Sequence, residues 1–174
     1  KKSKANKDLR QWIEELDAAG QLQHVSGAGL EEEIGAIVDI HMRKMTNPAV
    51  LFDEIPGHRK GFRVLAGIFG GKRKNMTLGF PTDLNKLELS EAYLEAQIKG
   101  IEPIPHEIVA HGPVFENIQT GDDVNVLDFP APLWHEDDGG RYLGTGSFDV
   151  TVDPDTGWMN LGAYRVMVHD RNSV

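Results

Sequence analysis

The chain has 174 residues, 40% of them hydrophobic and 26% charged, with no cysteine and a net charge of -9. That composition predicts a globular chain able to bury a real core, expected to be cytoplasmic, and it excludes disulfide scaffolds, thiolate metal sites and cysteine nucleophiles. The acidic balance argues against nucleic acid as a partner, and no apolar run approaches the ~20 residues of a membrane span.

In chain order, Leu9, Trp12, Ile13 and Leu16 recur at helical spacing, with Gly20 as the stop. Leu22–Val25 reads as a short strand. Glu31-Glu32-Glu33 is expected to open a second helix running through Ile34, Ile37, Val38 and Met42, its acidic first turn complementing the helix dipole. Asn47-Pro48 should end that helix. Ala49–Phe52 reads as a buried strand followed by the turn Pro56-Gly57, and Phe62–Gly67 as a further strand. Ser90–Ile98 reads as a helix. Alternating strands and helices make this half α/β.

From Val114 the texture changes to short strands split by Gly, Asp and Pro. Leu143–Val152, the turn Asp153-Pro154-Asp155-Thr156-Gly157 and the return strand Trp158–Val168 form a hairpin suited to an antiparallel sheet or barrel. Residues 1–115 carry 15 basic and 16 acidic side chains, whereas residues 116–174 carry 3 and 11. A boundary is therefore expected at His111-Gly112-Pro113, giving units at 1–113 and 114–174. The basic Lys1–Lys7 stretch reads as a frayed terminus. With Lys1 rather than methionine at its head and Val174 just after a strand, the chain is expected to be a piece of something longer.

Several chemical motifs compete with plainer readings. Ala66–Arg73 imitates a phosphate loop but has Ala66 at the first required glycine and Arg73 where Ser or Thr would hold magnesium; a turn with an exposed basic tip is the expectation. His135-Glu136-Asp137-Asp138-Gly139-Gly140-Arg141 is dense in polar groups, but consecutive residues on an extended chain diverge, so a solvated loop is preferred to a metal centre, with a loop bordering a site and guided by Trp134 as the open alternative. His24, His41, His58, His106, His111 and His169 read as structural or surface residues. Along Met159–Arg165, Asn160 and Gly162 share one face, with Leu161, Ala163 and Arg165 on the other. Gly162 and Ala163 leave the main chain bare for a flat ligand, Arg165 offers a planar fork to a phosphate or carboxylate, and Asn160 can give a neutral oxygen to a hard cation.

Phe129–Tyr142, followed by Asp153–Arg165 and Met167, resembles the UbiD family of prenylated-flavin-dependent decarboxylases; Leu9–Trp12, Pro48–Phe52 and Gly67–Gly70 are consistent with it. The resemblance implies an α/β N-terminal domain followed by the opening strands of a flavin-reductase-like split β-barrel. It implies that Asn160 binds a divalent metal, usually manganese, that bridges to the cofactor phosphate. Ala163, Tyr164 and Arg165 would line the prenylated FMN, with Arg165 also facing the substrate carboxylate as the catalytic residue. The backbone around Trp158 would contribute to a potassium site.

The implied activity is reversible, non-oxidative decarboxylation of an aromatic, heteroaromatic or α,β-unsaturated carboxylic acid. A flavin prenyltransferase would supply the cofactor, and the full-length protein would be a homo-oligomer. The family's remaining metal ligands and acid–base glutamates are expected beyond Val174, so the chain alone should be inactive. The alternatives are a non-catalytic docking module or ordered proteolytic fragment of a larger flavoprotein, and a plain FMN oxidoreductase.

Overall fold

The computed structural model describes residues 8–100, 105 and 107–174; Lys1–Lys7 and His106 fall outside them. Among the described residues no helix is long and apolar enough to cross a membrane. The architecture is mixed α/β with two small sheets.

Helix α1 (Leu9–Ala18) begins because Asp8 accepts the backbone N–H of Gln11 at 2.9 Å, satisfying one of the orphan donors of a first turn. Leu16 is fully buried, and Gly20 takes the positive φ that lets the chain leave toward β1 (Leu22–Ser26). Helix α2 (Glu33–Met42) starts two residues later than the acidic triplet suggests. Glu32 sits outside it in a left-handed conformation, and only Glu33 lies in the first turn, where its carboxylate accepts the Gly29 N–H at 2.7 Å. The triplet is thus divided among three tasks rather than acting as one dipole complement. The helix also ends at Met42, before Asn47-Pro48 is reached.

Strand β2 (Ala49–Asp53) is the centre of a three-stranded sheet of order β1-β2-β3, parallel to β1 and antiparallel to β3 (Val64–Ala66). Ala49 through Phe52 are all buried, which explains an uninterrupted apolar run where a half-exposed strand would alternate. Val50, Phe52 and Val64 pack with Ala28, Ile34 and Ile55 into the main core, and Val25, Leu30, Ile37, Val38 and Trp134 close around it.

After β3 the expected exposed basic tip is instead a helix, α3 (Gly71–Thr77), with Arg73 buried at its heart. The Arg73 guanidinium donates to the Gly67 carbonyl at 2.9 Å, to the Asn47 carbonyl and to Asn47 Oδ1 at 3.3 Å. Burial pulls its pKa below the usual arginine value. Asn75, also buried, donates to the carbonyls of Pro81 and Leu84, both at 3.0 Å. Helix α4 (Lys86–Lys99) starts earlier than Ser90 because Asn85 and Glu88 form a capping box.

Three short 3-10 turns lead to a strap, residues 129–134. Ala131 and Pro132 are buried, and the Trp134 ring packs on the core of the first sheet. Gly35 permits this: a Cβ there would collide with the Trp134 carbonyl. Strands β4 (Arg141–Val152) and β5 (Met159–Val168) then form the antiparallel hairpin. Its turn is held by Asp153, whose Oδ1 accepts the N–H groups of Asp155 and Thr156 at 2.8 and 2.9 Å. Those bonds hold the Asp153 carboxyl below the usual aspartate range. Gly157 takes positive φ and donates to the Asp153 carbonyl.

Candidate functional site

The hairpin register sorts its side chains into two chemically different faces. Val152 pairs with Met159, Val150 with Leu161 and Phe148 with Ala163, which gives an apolar face that continues to Arg165. Thr151 pairs with Asn160, Asp149 with Gly162 and Ser147 with Tyr164, which gives a polar face. Asn160 and Arg165 therefore stand on opposite faces of β5. The Tyr164 ring folds back over Gly162, where a Cβ would collide with it, so Tyr164 presents its ring to the Asn160 side and only its main chain to the Arg165 side. An aromatic ring covering a strand glycine restores packing that the missing side chain would otherwise forfeit.

Arg165 lines an open cleft of about 800 Å³ between the hairpin and the first sheet. One wall is Val64–Phe69 with Arg63 and Val38; the other is Tyr142–Ser147, and Trp134 and His135 also line it. Arg165 is exposed and has no hydrogen-bond or ion-pair partner among the described residues, whereas Arg63 reaches Asp53 at 3.9 Å. The Trp134 indole Nε1 is buried and likewise unpartnered. A free guanidinium on the wall of an open cleft can receive an anionic ligand. That guanidinium fits a flavin phosphate or a carboxylate; Ala163 adds little bulk on the Arg165 face, but the expectation of a bare main chain at Gly162 is not met, because the Tyr164 ring covers it on the other face.

The metal expectation fares differently. Asn160 is exposed, with no hydrogen-bond partner among the described residues, and Asp149 on the same face keeps a buried Oδ2 without one. Yet among the described residues no group of three or more His, Cys, Asp or Glu side chains could hold a metal ion. The Trp158 carbonyl already accepts the Asp153 N–H at 2.9 Å. One neutral amide oxygen does not make a manganese centre, so these residues alone do not fit the metal.

The remaining polar motifs are held by local contacts, with His135 and Asp138 also lining the cleft. His135, Glu136 and Asp137 are exposed, and Asp138 accepts the His135 N–H at 3.1 Å in a closed loop. His24 lies between Asp17 at 3.3 Å and Asp53 at 3.7 Å; His41 and His58 bond to the carbonyls of Ile37 and Asp128. His111 and His169 are exposed. The open alternative of a loop guided by Trp134 and bordering a site agrees with Trp134 lining the cleft, whereas the sequence reading passed over Arg63 and Gly144–Gly146 as cleft residues. The Gly-Thr-Gly run at Gly144–Gly146, which breaks the ladder register, is the signal that marks the last of these.

Residues 13–96 match the family description "3-octaprenyl-4-hydroxybenzoate carboxy-lyase N-terminal domain", and residues 107–174 match "3-octaprenyl-4-hydroxybenzoate carboxy-lyase Rift-related domain". A pyrrole-2-carboxylic acid decarboxylase of Pseudomonas aeruginosa is 35% identical over 96% of this chain and 35% of its own length. A phenolic acid decarboxylase of Sedimentibacter hydroxybenzoicus is 32% identical over 99% of this chain and 37% of its own. Among solved structures, the closed form of the vanillic acid decarboxylase of Sedimentibacter hydroxybenzoicus superposes with a TM-score of 0.82 at 28% identity, covering 97% of this chain and 36% of that one. An evolved dimeric form of the UbiD-class enzyme HmfF from Pelotomaculum thermopropionicum, in complex with prFMN, gives a TM-score of 0.71 at 25% identity over 94% of this chain and 36% of that one. The chain thus spans a little over a third of the relatives it matches.

Proposed function

The chain belongs to the UbiD carboxy-lyase family, and from that premise we propose that the complete protein is a prenylated-FMN-dependent decarboxylase of an aromatic or heteroaromatic carboxylic acid, acting reversibly and without net oxidation. The named relatives act on pyrrole-2-carboxylic, phenolic and vanillic acids, which supports ring-bearing acids over the α,β-unsaturated acids that the family resemblance also admits. The observation that carries the reading is the unpartnered Arg165 guanidinium on the wall of the cleft, with only the small side chain of Ala163 before it on the same strand face. Residues 1–113 are proposed as the α/β domain and 114–174 as the opening of a flavin-reductase-like split β-barrel, of which β4 and β5 are the first hairpin.

When bound, the prenylated flavin supplies the electron sink that loss of carbon dioxide requires. The work of this chain's own residues is to bind and orient. Arg165 holds the substrate carboxylate by two parallel N–H donors and stabilises the negative charge that develops beside it. Ala163 and the Tyr164 main chain let the flavin plane approach the strand. Asn160 is proposed to lend one oxygen to manganese and the Trp158 backbone to contribute to a potassium site, with the other ligands coming from elsewhere in the complete protein. A flavin prenyltransferase as cofactor supplier and a homo-oligomeric assembly complete the proposal.

The test is carbon dioxide release by the complete protein, produced in cells that also express a flavin prenyltransferase, against a panel of aryl and heteroaryl acids. Turnover of at least one acid that depends on the prenyltransferase is expected. Redox cycling with a nicotinamide donor and no carbon dioxide from any acid would overturn the reading.

A further inference from the structure

The cleft has two walls that no strand ladder joins: the three-stranded sheet and the hairpin are separate sheets. The strap connects them. Leu133 donates to the Leu30 carbonyl and accepts the Glu32 N–H, both at 2.9 Å, making a parallel bridge with Glu31. On its other side, Pro132 accepts the Tyr142 N–H at 3.0 Å, and Tyr142 is already cleft wall.

We propose that Arg141 is a positioning residue that clasps the two cleft walls together through Glu31 and the strap. It is the first residue of β4 and pairs across the hairpin with Val168, three residues beyond Arg165. Its Nη1 donates to the Ala131 carbonyl at 3.1 Å, and its Nη2 forms an ion pair with Glu31. One planar fork therefore holds the strap and the α2 approach at once, which a lysine ammonium with its single point of charge cannot do in the same geometry. The clasp fixes the spacing between Arg165 and the Val64–Phe69 wall, and so the pose of whatever the cleft holds.

Glu31 is 68% and Arg141 35% exposed at the side chain. An ion pair this open adds little to global stability, so its loss should free the walls without unfolding the core. That separates positioning from mere structural support. The inference rests on the flavin reading of the cleft for its ligand, but not for the clasp itself.

The experiment uses the complete apoprotein, with Glu31→Gln, Arg141→Lys, and the exchanged pair Glu31→Arg with Arg141→Glu. Amide hydrogen exchange at Glu32 and Leu133 is measured alongside FMN affinity by flavin fluorescence and the thermal midpoint. Each single variant is expected to speed exchange at both amides by about fivefold and weaken FMN about as much, by the arithmetic of one surface pair, with the midpoint unmoved. The exchanged pair restores the ion pair but offers no donor to the Ala131 carbonyl, so it should recover both in part. Unchanged exchange in both single variants overturns the clasp, as does a lowered midpoint with no recovery in the exchanged pair. If the unaltered apoprotein fails to bind FMN, the flavin reading of the cleft falls, while the exchange comparison still decides the clasp.

Discussion

Strand β2 and the β4–β5 hairpin are both apolar, yet they hold their order by different means. Phe52 in β2 is 0% exposed, sealed by α2, β1, β3 and the Trp134 ring; Phe148 in β4 is 71% exposed on a face shared with Val150, Val152, Met159 and Leu161. In the first region, burial fixes the structure. In the second, ladder hydrogen bonds and an aspartate-held turn fix it, and the exposed side chains are left available to a ligand or a neighbouring element. A rigid core beside an open hairpin is a sound arrangement for a cleft, because one wall is over-determined and the other can be set by local contacts.

The sharpest way to break the contrast is truncation of the two phenylalanines in the 174-residue chain. Phe52→Ala should cost about 3–5 kcal/mol by the cavity it opens, and Phe148→Ala no more than about 0.5 kcal/mol; urea denaturation of both variants measures the difference. Equal losses would erase the distinction. Arg73→Met comes next. It strips donors from the carbonyls of Gly67 and Asn47 and leaves those part-buried acceptors unpaired around an apolar side chain, so a loss of about 1–3 kcal/mol is expected in the same assay.

Asn75→Ala removes two hydrogen bonds to Pro81 and Leu84 and should cost about 1–3 kcal/mol, with faster amide exchange at the start of α4. The smallest effect belongs to the hairpin turn. The Asp153 carboxyl is held below its unfolded value, so its support is complete above the ordinary aspartate range and is lost as the pH falls through the lower, folded value. Amide protection at Asp155 and Thr156 should fade on strong acidification in the natural protein and be low at every pH in Asp153→Ala.

Much of the first region was legible because its signals are local. An unbroken apolar run means a doubly covered strand, and Gly20 marked the end of α1 as expected. What escaped the sequence depends on partners far along the chain. Arg73 looked like an exposed basic tip because its acceptors are main-chain carbonyls, including one 26 positions earlier, and carbonyls carry no sequence signature. The acidic triplet looked like a helix start because the partners of Glu31 and Glu32, Arg141 and Leu133, lie more than a hundred residues away. At the candidate site, strand parity already separated Asn160 from Arg165. The wall facing Arg165 could not be foreseen, since it comes from β3 and the turn that follows it.

Arg165 carries the central claim, so Arg165→Ala in the complete protein, produced with prenylated flavin, is its most direct test. Carbon dioxide release should fall by about a hundredfold or more, the usual consequence of removing one charge-stabilising donor, while the flavin remains bound. Turnover close to that of the unaltered protein would contradict the account.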